Sequence, residues 1–407
     1  MRRQFFAFAF KISAAVVSYR LVLIPLCFLL FAVPAAVILL HPSPPPHPNR
    51  LLSPLGSAAG SEKTDRRKQV IGFLPYWNLE KVGQLDFSGL TAVYYFAVDI
   101  DSSGGFNKAD PGWSRLNSDQ FLKLKTKAVA HHLPLGITIV NLNPDSIARI
   151  VNNSISRDRL AKNVVFLMQT YGFGSLNVDF EYSGTADNPT RQNYTLFVKS
   201  LADQVRIAVP NAEITIDAFS DAAAKPRIMD ISALSKTVDQ IIIMAYDFHR
   251  LNSAVAGPVA PLFGRKKYEN DVTSAVTDFL RVAPAGKILL GVPFYGYEWP
   301  TLDSTKESFV IRSSRPPELS SYHRSRETAA KHDTPINFDD LSKSAWFSYY
   351  DTGSGTWRQV WFEDEHSLSL KLDLVNQANL AGIAVFALGY DGSDAGPLWD
   401  TVKAKLR

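Results

Sequence analysis

Two carboxylates and an amide stand two residues apart in the run Gly174-Ser175-Leu176-Asn177-Val178-Asp179-Phe180-Glu181-Tyr182. In an extended strand such residues share a face, so Asn177, Asp179 and Glu181 point one way and Leu176, Val178 and Phe180 the other. Strands buried in a parallel sheet are normally apolar on both faces. Burying carboxylates without a task is costly, so an acidic face there marks a catalytic lining. The chemistry that fits is general acid–base catalysis of the kind that cleaves a glycosidic bond, with an acid at the leaving oxygen and a group to meet positive charge at the anomeric carbon. Glu181, last on the strand, fits the acid, its pKa raised by Asp179 and by partial burial. Asp179 lies on the same strand and is badly placed to attack the opposite face of a sugar.

The elements that must position these groups alternate along the chain. Apolar, β-rich runs occur at Val70–Leu74, Ala92–Val98, Leu135–Val140, Leu176–Phe180, Ile214–Ala218, Ile241–Ala245, Ile288–Val292 and Ile383–Leu388. Amphipathic stretches at Ser118–His131, Ser156–Tyr171, Asn193–Val209 and Asp271–Val282 lie among the first seven. Eight such units predict a (β/α)8 barrel, an α/β fold whose chemistry sits at the C-terminal ends of the strands. A doubly wound open sheet is the alternative, but no glycine-rich phosphate turn follows the first strand. The expected strand ends carry Pro75-Tyr76-Trp77, Phe96, Asn141, Asp179 with Glu181, Asp217, Tyr246-Asp247, Tyr295 and Phe386. Aromatic faces and acids with few cations suit a sugar better than a phosphate. Trp77 is the best placed of the aromatics for sugar contact, while Phe96 and Tyr295 also suit a core. The gap before the eighth strand, about 301–361, contains aromatic runs at 346–350 and 357–362 around a Gly-containing turn. That pattern predicts a hairpin inside a small α+β insertion, followed by a helix over about 367–378.

At this point the chain resembles glycoside hydrolase family 18, the chitinase-like family. The run at 174–181 is similar to that family's Asp-x-x-Asp-x-Asp-x-Glu signature. Further matches are Tyr94-Tyr95-Phe96-Ala97, Met244-Ala245-Tyr246-Asp247, Gly291-Val292-Pro293-Phe294-Tyr295-Gly296, Gly382–Phe386 and Leu388-Gly389-Tyr390. The resemblance runs from about Val70 to the C-terminus. It implies a retaining hydrolase of β-linked N-acetylglucosamine polymers in which the substrate's own 2-acetamido group is the nucleophile. Glu181 would be acid and then base, Asp179 would orient the acetamide, and Tyr246 would bond its oxygen. Asp247, Asn177 and Met244 would support them, with Trp77, Phe96, Tyr295 and Phe386 as sugar contacts. No metal or cofactor is implied. Gly174 and Asn177 stand where the signature has its first two acids; Asn177 is expected to bond Asp179 without adding charge. Ile139-Val140-Asn141-Leu142 replaces a Ser-x-Gly-Gly element, Phe386 a common tryptophan, and Tyr297 an arginine of animal members. The Asn-x-Asp-Phe-Glu variant is closest to bacterial wall-associated and spore-cortex-lytic members, which favours peptidoglycan over chitin. A lectin-like sugar-binding protein is the non-enzymatic alternative.

The 407 residues carry 43 Lys and Arg against 39 Asp and Glu, and the excess is local. Arg2, Arg3, Lys11 and Arg20 precede a charge-free run, Leu21–Leu40, so the remainder is balanced and lacks the basic stripe of a nucleic-acid binder. Twenty uncharged residues can cross a bilayer, and the flanking charge predicts a cytoplasmic tail (1–20), a membrane anchor (21–40) and an exported remainder. Cleavage near Val33-Pro34-Ala35 is the alternative. Residues 41–68 are Pro-rich and polar, a tether, ahead of a catalytic domain at 69–407. Cys27 is the only cysteine, so that domain forms no disulfide. Asp99-Ile100-Asp101-Ser102-Ser103-Gly104 resembles a calcium loop only superficially, since it follows a strand and lacks the terminal Glu. The partner expected is an N-acetylglucosamine-containing polysaccharide, bound by a monomer.

Overall fold

The computed structural model describes residues 67–225, 227–392 and 396–407. The expected tail, anchor and nearly all of the tether lie outside the described residues, among which no helix is long and apolar enough to cross a membrane.

Eight parallel strands close a barrel: β1 (Gln69–Pro75), β2 (Ala92–Asp99), β3 (Leu135–Asn141), β4 (Ser175–Phe180), β5 (Glu213–Phe219), β6 (Gln240–Met244), β7 (Ile288–Pro293) and the last strand of the chain, β13 (Gly382–Phe386). Neighbours pair in sequence order, and β13 closes the ring between β7 and β1. These are the eight apolar runs of the sequence, legible because a barrel strand is buried on both faces. β6 and β13 stop short of the expected ends, at Met244 and Phe386, where the chain turns into site loops.

The outward faces pack under helices into one large core. The helix Asn188–Ala208 begins five residues ahead of the expected Asn193, because the Asp187 side chain caps Thr190 N and Pro189 opens the first turn. The helix Ser154–Tyr171 ends on Gly172, whose φ of 76° glycine adopts at no steric cost.

The interior of the barrel is divided. Ile71, Phe73, Tyr94, Ile242, Leu289 and Ala384 form a separate apolar cluster. On β3, β4 and β5 the inward positions are polar: Thr138, Asn177 and Thr215 lie in register, with Asp179 and Asp217 one layer nearer the C-terminal ends. All five are buried.

Between β7 and β13 a second sheet forms from β8 (Tyr295–Thr301), β9 (Glu318–Ser321), β10 (Asn337–Asp339), β11 (Ser344–Asp351) and β12 (Thr356–Phe362), in the order β10-β11-β12-β8-β9. β11 and β12 are the aromatic hairpin that the sequence predicts. The sheet also takes in residues ahead of 301: β8 starts two residues after β7 ends, so Tyr295 and Tyr297 leave the barrel directly into it. Trp299 and Trp361 are fully buried there as core. A helix, Glu365–Gln377, leads back to β13.

Candidate active site

Glu181 follows β4 immediately, its backbone N–H held by Asn141 O on β3 at 2.9 Å. It sits on a rim shared by two cavities. One, of about 730 Å³, lies over the ends of β1 to β3 and is lined by Tyr76, Trp77, Phe96, Asp99, Asn141 and Arg149 among others. The other, of about 160 Å³, lies over β5 and β6 and includes Tyr246, Asp247, Met244 and Arg250.

Below Glu181 the barrel holds two buried acids. Asp179 is 3% exposed, and its Oδ1 has no hydrogen-bond partner. Burial, with Asp217 and Glu181 as neighbouring negative charges, raises its pKa well above the ordinary carboxylate range. Asp217 on β5 is pushed up to about 7, chiefly by burial and against the hydrogen bond it accepts from Asn177. The Asn177 amide does not bond Asp179 as expected. It donates to Asp217 Oδ2 at 2.7 Å, while its carbonyl accepts from Thr215 Oγ1 at 2.6 Å. Asp179 and Asp217 both lie one two-residue layer beyond the Asn177–Thr215 pair, and the amide takes the carboxylate of the neighbouring strand rather than that of its own.

Glu181 also has a raised pKa, with burial the main cause; the Arg250 charge opposes it and Asp247 adds to it. Asp247 has a φ of 60° and accepts hydrogen bonds from Tyr295 Oη at 2.6 Å and Tyr297 Oη at 2.9 Å. Burial raises its pKa against those two bonds.

Aromatic rings floor the space between the strand ends. Tyr246 stacks on Phe386 at 6.1 Å, Phe386 meets Phe96 edge-on at 5.1 Å, and Phe96 meets Trp77 edge-on at 6.1 Å. A Cβ at Gly291 would come within 2.5 Å of Ile243 O and 3.0 Å of the Tyr246 ring, so glycine there lets Tyr246 lie close. Trp77 is 46% exposed, and its indole N–H donates to Tyr390 Oη at 3.0 Å. Tyr295 is buried behind Asp247, serving it through its hydroxyl rather than offering a ring face. In the loop after β2, Asp101 Oδ1 is occupied by Ser103 and Gly105 of its own turn.

With this geometry, the family model for Glycosyl hydrolases family 18 matches residues 69–391. The chain belongs to glycoside hydrolase family 18. It is 30% identical over 259 residues to the Bacillus subtilis protein named "Putative sporulation-specific glycosylase YdhD", covering 62% of this chain and 56% of that one. It is 26% identical over 276 residues to the cortical fragment-lytic enzyme of the same organism, covering 65% and 59%. The chain therefore spans little more than half the length of these two relatives. Among solved structures, the spore cortex-lytic enzyme SleL of Bacillus megaterium superposes with a TM-score of 0.67 at 18% identity, covering 85% of this chain and 76% of that one. The Group IV chitinase of Ostrinia furnacalis, in complex with allosamidin, gives 0.71 at 20%, covering 83% and 98%. These two likenesses concern the fold.

Within this family-18 site the structure brings together Asn177, Asp179, Glu181, Met244, Tyr246 and Asp247, with Phe96, Phe386 and Trp77 alongside. Sequence reasoning noted Asp217 as a strand end and Tyr390 within the Leu388-Gly389-Tyr390 match but gave neither a part, and it missed Thr215 and Arg250. Period-two spacing could have flagged Thr215 and Asp217 as a polar face on β5. Nothing local marks Arg250.

Proposed function

We propose that this chain hydrolyses β-linked N-acetylglucosamine polymers with retention of configuration, peptidoglycan being favoured over chitin. The observation that carries the reading is the place of Glu181 on the rim between two cavities, so that a polymer laid across the strand ends has a bond above the carboxyl. A raised pKa favours the protonated form of Glu181, the form that delivers a proton to the leaving oxygen. Asp179 is a poor nucleophile: it is buried, and its raised pKa favours the neutral acid. The attack is assigned instead to the substrate. The 2-acetamido carbonyl oxygen bonds to the anomeric carbon as the glycosidic C–O bond breaks and the Glu181 proton passes to the departing oxygen. Water then attacks that carbon, gives its proton to Glu181 and reopens the oxazolinium to the acetamide. Asp179 orients the acetamide N–H, Tyr246 donates to its oxygen, and Asp247 holds the sugar, supported by Tyr295 and Tyr297. Export on an N-terminal anchor belongs to the same proposal; fractionation of the full chain with membranes after high-salt washing tests it.

The catalytic reading is tested by incubating residues 67–407 with chitin oligomers and with purified peptidoglycan and identifying products by mass. Glu181→Gln is expected to lower turnover by roughly 10²–10⁴-fold. Substrates with free amines in place of acetamides should not be cleaved, because the nucleophile is gone. Binding of both polymers without turnover in the parent protein would support the lectin-like reading instead.

A further inference from the structure

Beyond the catalytic groups, the cavity over β5 and β6 carries a cation with no ion-pair partner among the described residues. That cavity and an adjoining one of about 340 Å³ share Ser220, Asp221, Asp247, Phe248 and Arg250. Four cations line the pair. Lys225 and Arg227 both pair with Asp221, and Arg265 with Asp278. Arg250 alone among them has no carboxylate partner within the described residues. Its Nε donates to the Asp247 backbone carbonyl at 3.1 Å, which fixes the stem and leaves both terminal nitrogens for something outside the protein. Its charge acts on Glu181 and Asp247 across the cavity without a direct ion pair to either. The opposite cavity has Asp99, Asp110 and Arg149 on its wall.

We infer that Arg250 binds a carboxylate carried by a substituent of the sugar on the β5–β6 side of Glu181, such as the lactyl ether of a muramic acid residue. A planar guanidinium held at its Nε presents two parallel N–H donors, the geometry that takes a carboxylate in bidentate fashion. An unsubstituted N-acetylglucosamine offers only hydroxyls and an acetamide there. The inference rests on the proposed function in that it takes the two cavities as arms of one polymer cleft, and it narrows the substrate class to acidic, N-acetylated glycans.

The test separates this from turnover by measuring affinity in Glu181→Gln. The probes are peptidoglycan glycan strands freed of stem peptides, the same strands with their carboxylates converted to methylamides, and chitohexaose. Adding Arg250→Gln is expected to lower the ratio of affinities, free strands over chitohexaose, by roughly tenfold. Methylamidation of the strands should produce the same loss against Arg250 and no further loss against Arg250→Gln. A thermal melt within a degree or two of the parent checks that Arg250→Gln folds. An unchanged ratio would overturn the inference, placing Arg250 with Glu181 rather than with substrate, and so would failure of free strands to bind. If the parent hydrolyses neither polymer, the proposed function fails while the affinity ratio still decides the role of Arg250.

Discussion

Asn177 separates two problems that a carboxylate in its place would merge. An acid at 177 would face Asp217 at hydrogen-bond distance, and two like charges so close do not both ionise. With the amide there, Asp217 is the sole acid of the pair, and the amide satisfies Asp217 on one side and Thr215 on the other. Asn177→Asp is therefore expected to lower the unfolding free energy more at pH 8 than at pH 5, by about 1.4 kcal/mol for each unit by which the shared proton is retained. The swap Asn177→Asp with Asp217→Asn restores one acid facing one amide and should recover most of that loss. Calorimetry of the two single variants and the double at both pH values measures the coupling. Purely additive effects would mean that the two side chains do not act as a pair.

Elements were more legible than their partnerships. A barrel strand announces itself in a handful of consecutive residues, and an aromatic hairpin does so through its turn. The partner of Asn177 is 40 residues away on β5, and that of Asp247 is 48 residues away on β8. Such pairings follow from register and closure, which periodicity does not contain. The second sheet shows the same limit. Glu298 on β8 is fully buried, bonded by Arg358 Nε at 2.8 Å, Arg324 Nη2 at 3.0 Å, Arg315 Nη2 at 3.0 Å and Tyr349 Oη at 2.5 Å. Arg358 is itself fully buried, and without Glu298 its remaining carboxylate contact is Glu318 at 3.3 Å, which Arg315 and Arg324 also share. Glu298→Ala is expected to cost about 3–5 kcal/mol. Because Tyr295 and Tyr297 lie on the same strand, the loss should also raise KM or lower kcat. A melt and steady-state kinetics check this; a change below about 1 kcal/mol would mean that the charges reorganise toward water.

At the scale of the whole molecule, the barrel is stabilised by its apolar half and strained by its acidic half. Asp179, Asp217 and Glu181 all hold their protons to higher pH than exposed carboxyls do, with burial the main cause in each. Asp217 goes from an ordinary value of 3.8 to about 7. Where the folded pKa lies above the unfolded one, the folded state binds more protons between the two values, so stability is full below the lower value and is lost as pH rises through the higher. The opposite sign holds at the surface. Asp86, against partial burial, is held at about 2 by Lys403 and Ser88, so its contribution is present above pH 4 and is lost as pH falls toward 2. The two groups act in different windows, and Asp217 is expected to lower stability progressively as pH rises from about 4 to 7. Asp217→Asn retains an acceptor for the Asn177 amide while removing the titration. It is expected to flatten the decline in melting temperature between pH 5 and 8 and to raise stability at pH 8, by no more than about 1.4 kcal/mol per unit of the removed shift. Melting curves of the parent and variant at pH 5, 6, 7 and 8 decide it. Parallel curves would show that Asp217 keeps the same charge over that range, and the cost of the acidic half would then fall to Asp179 and Glu181.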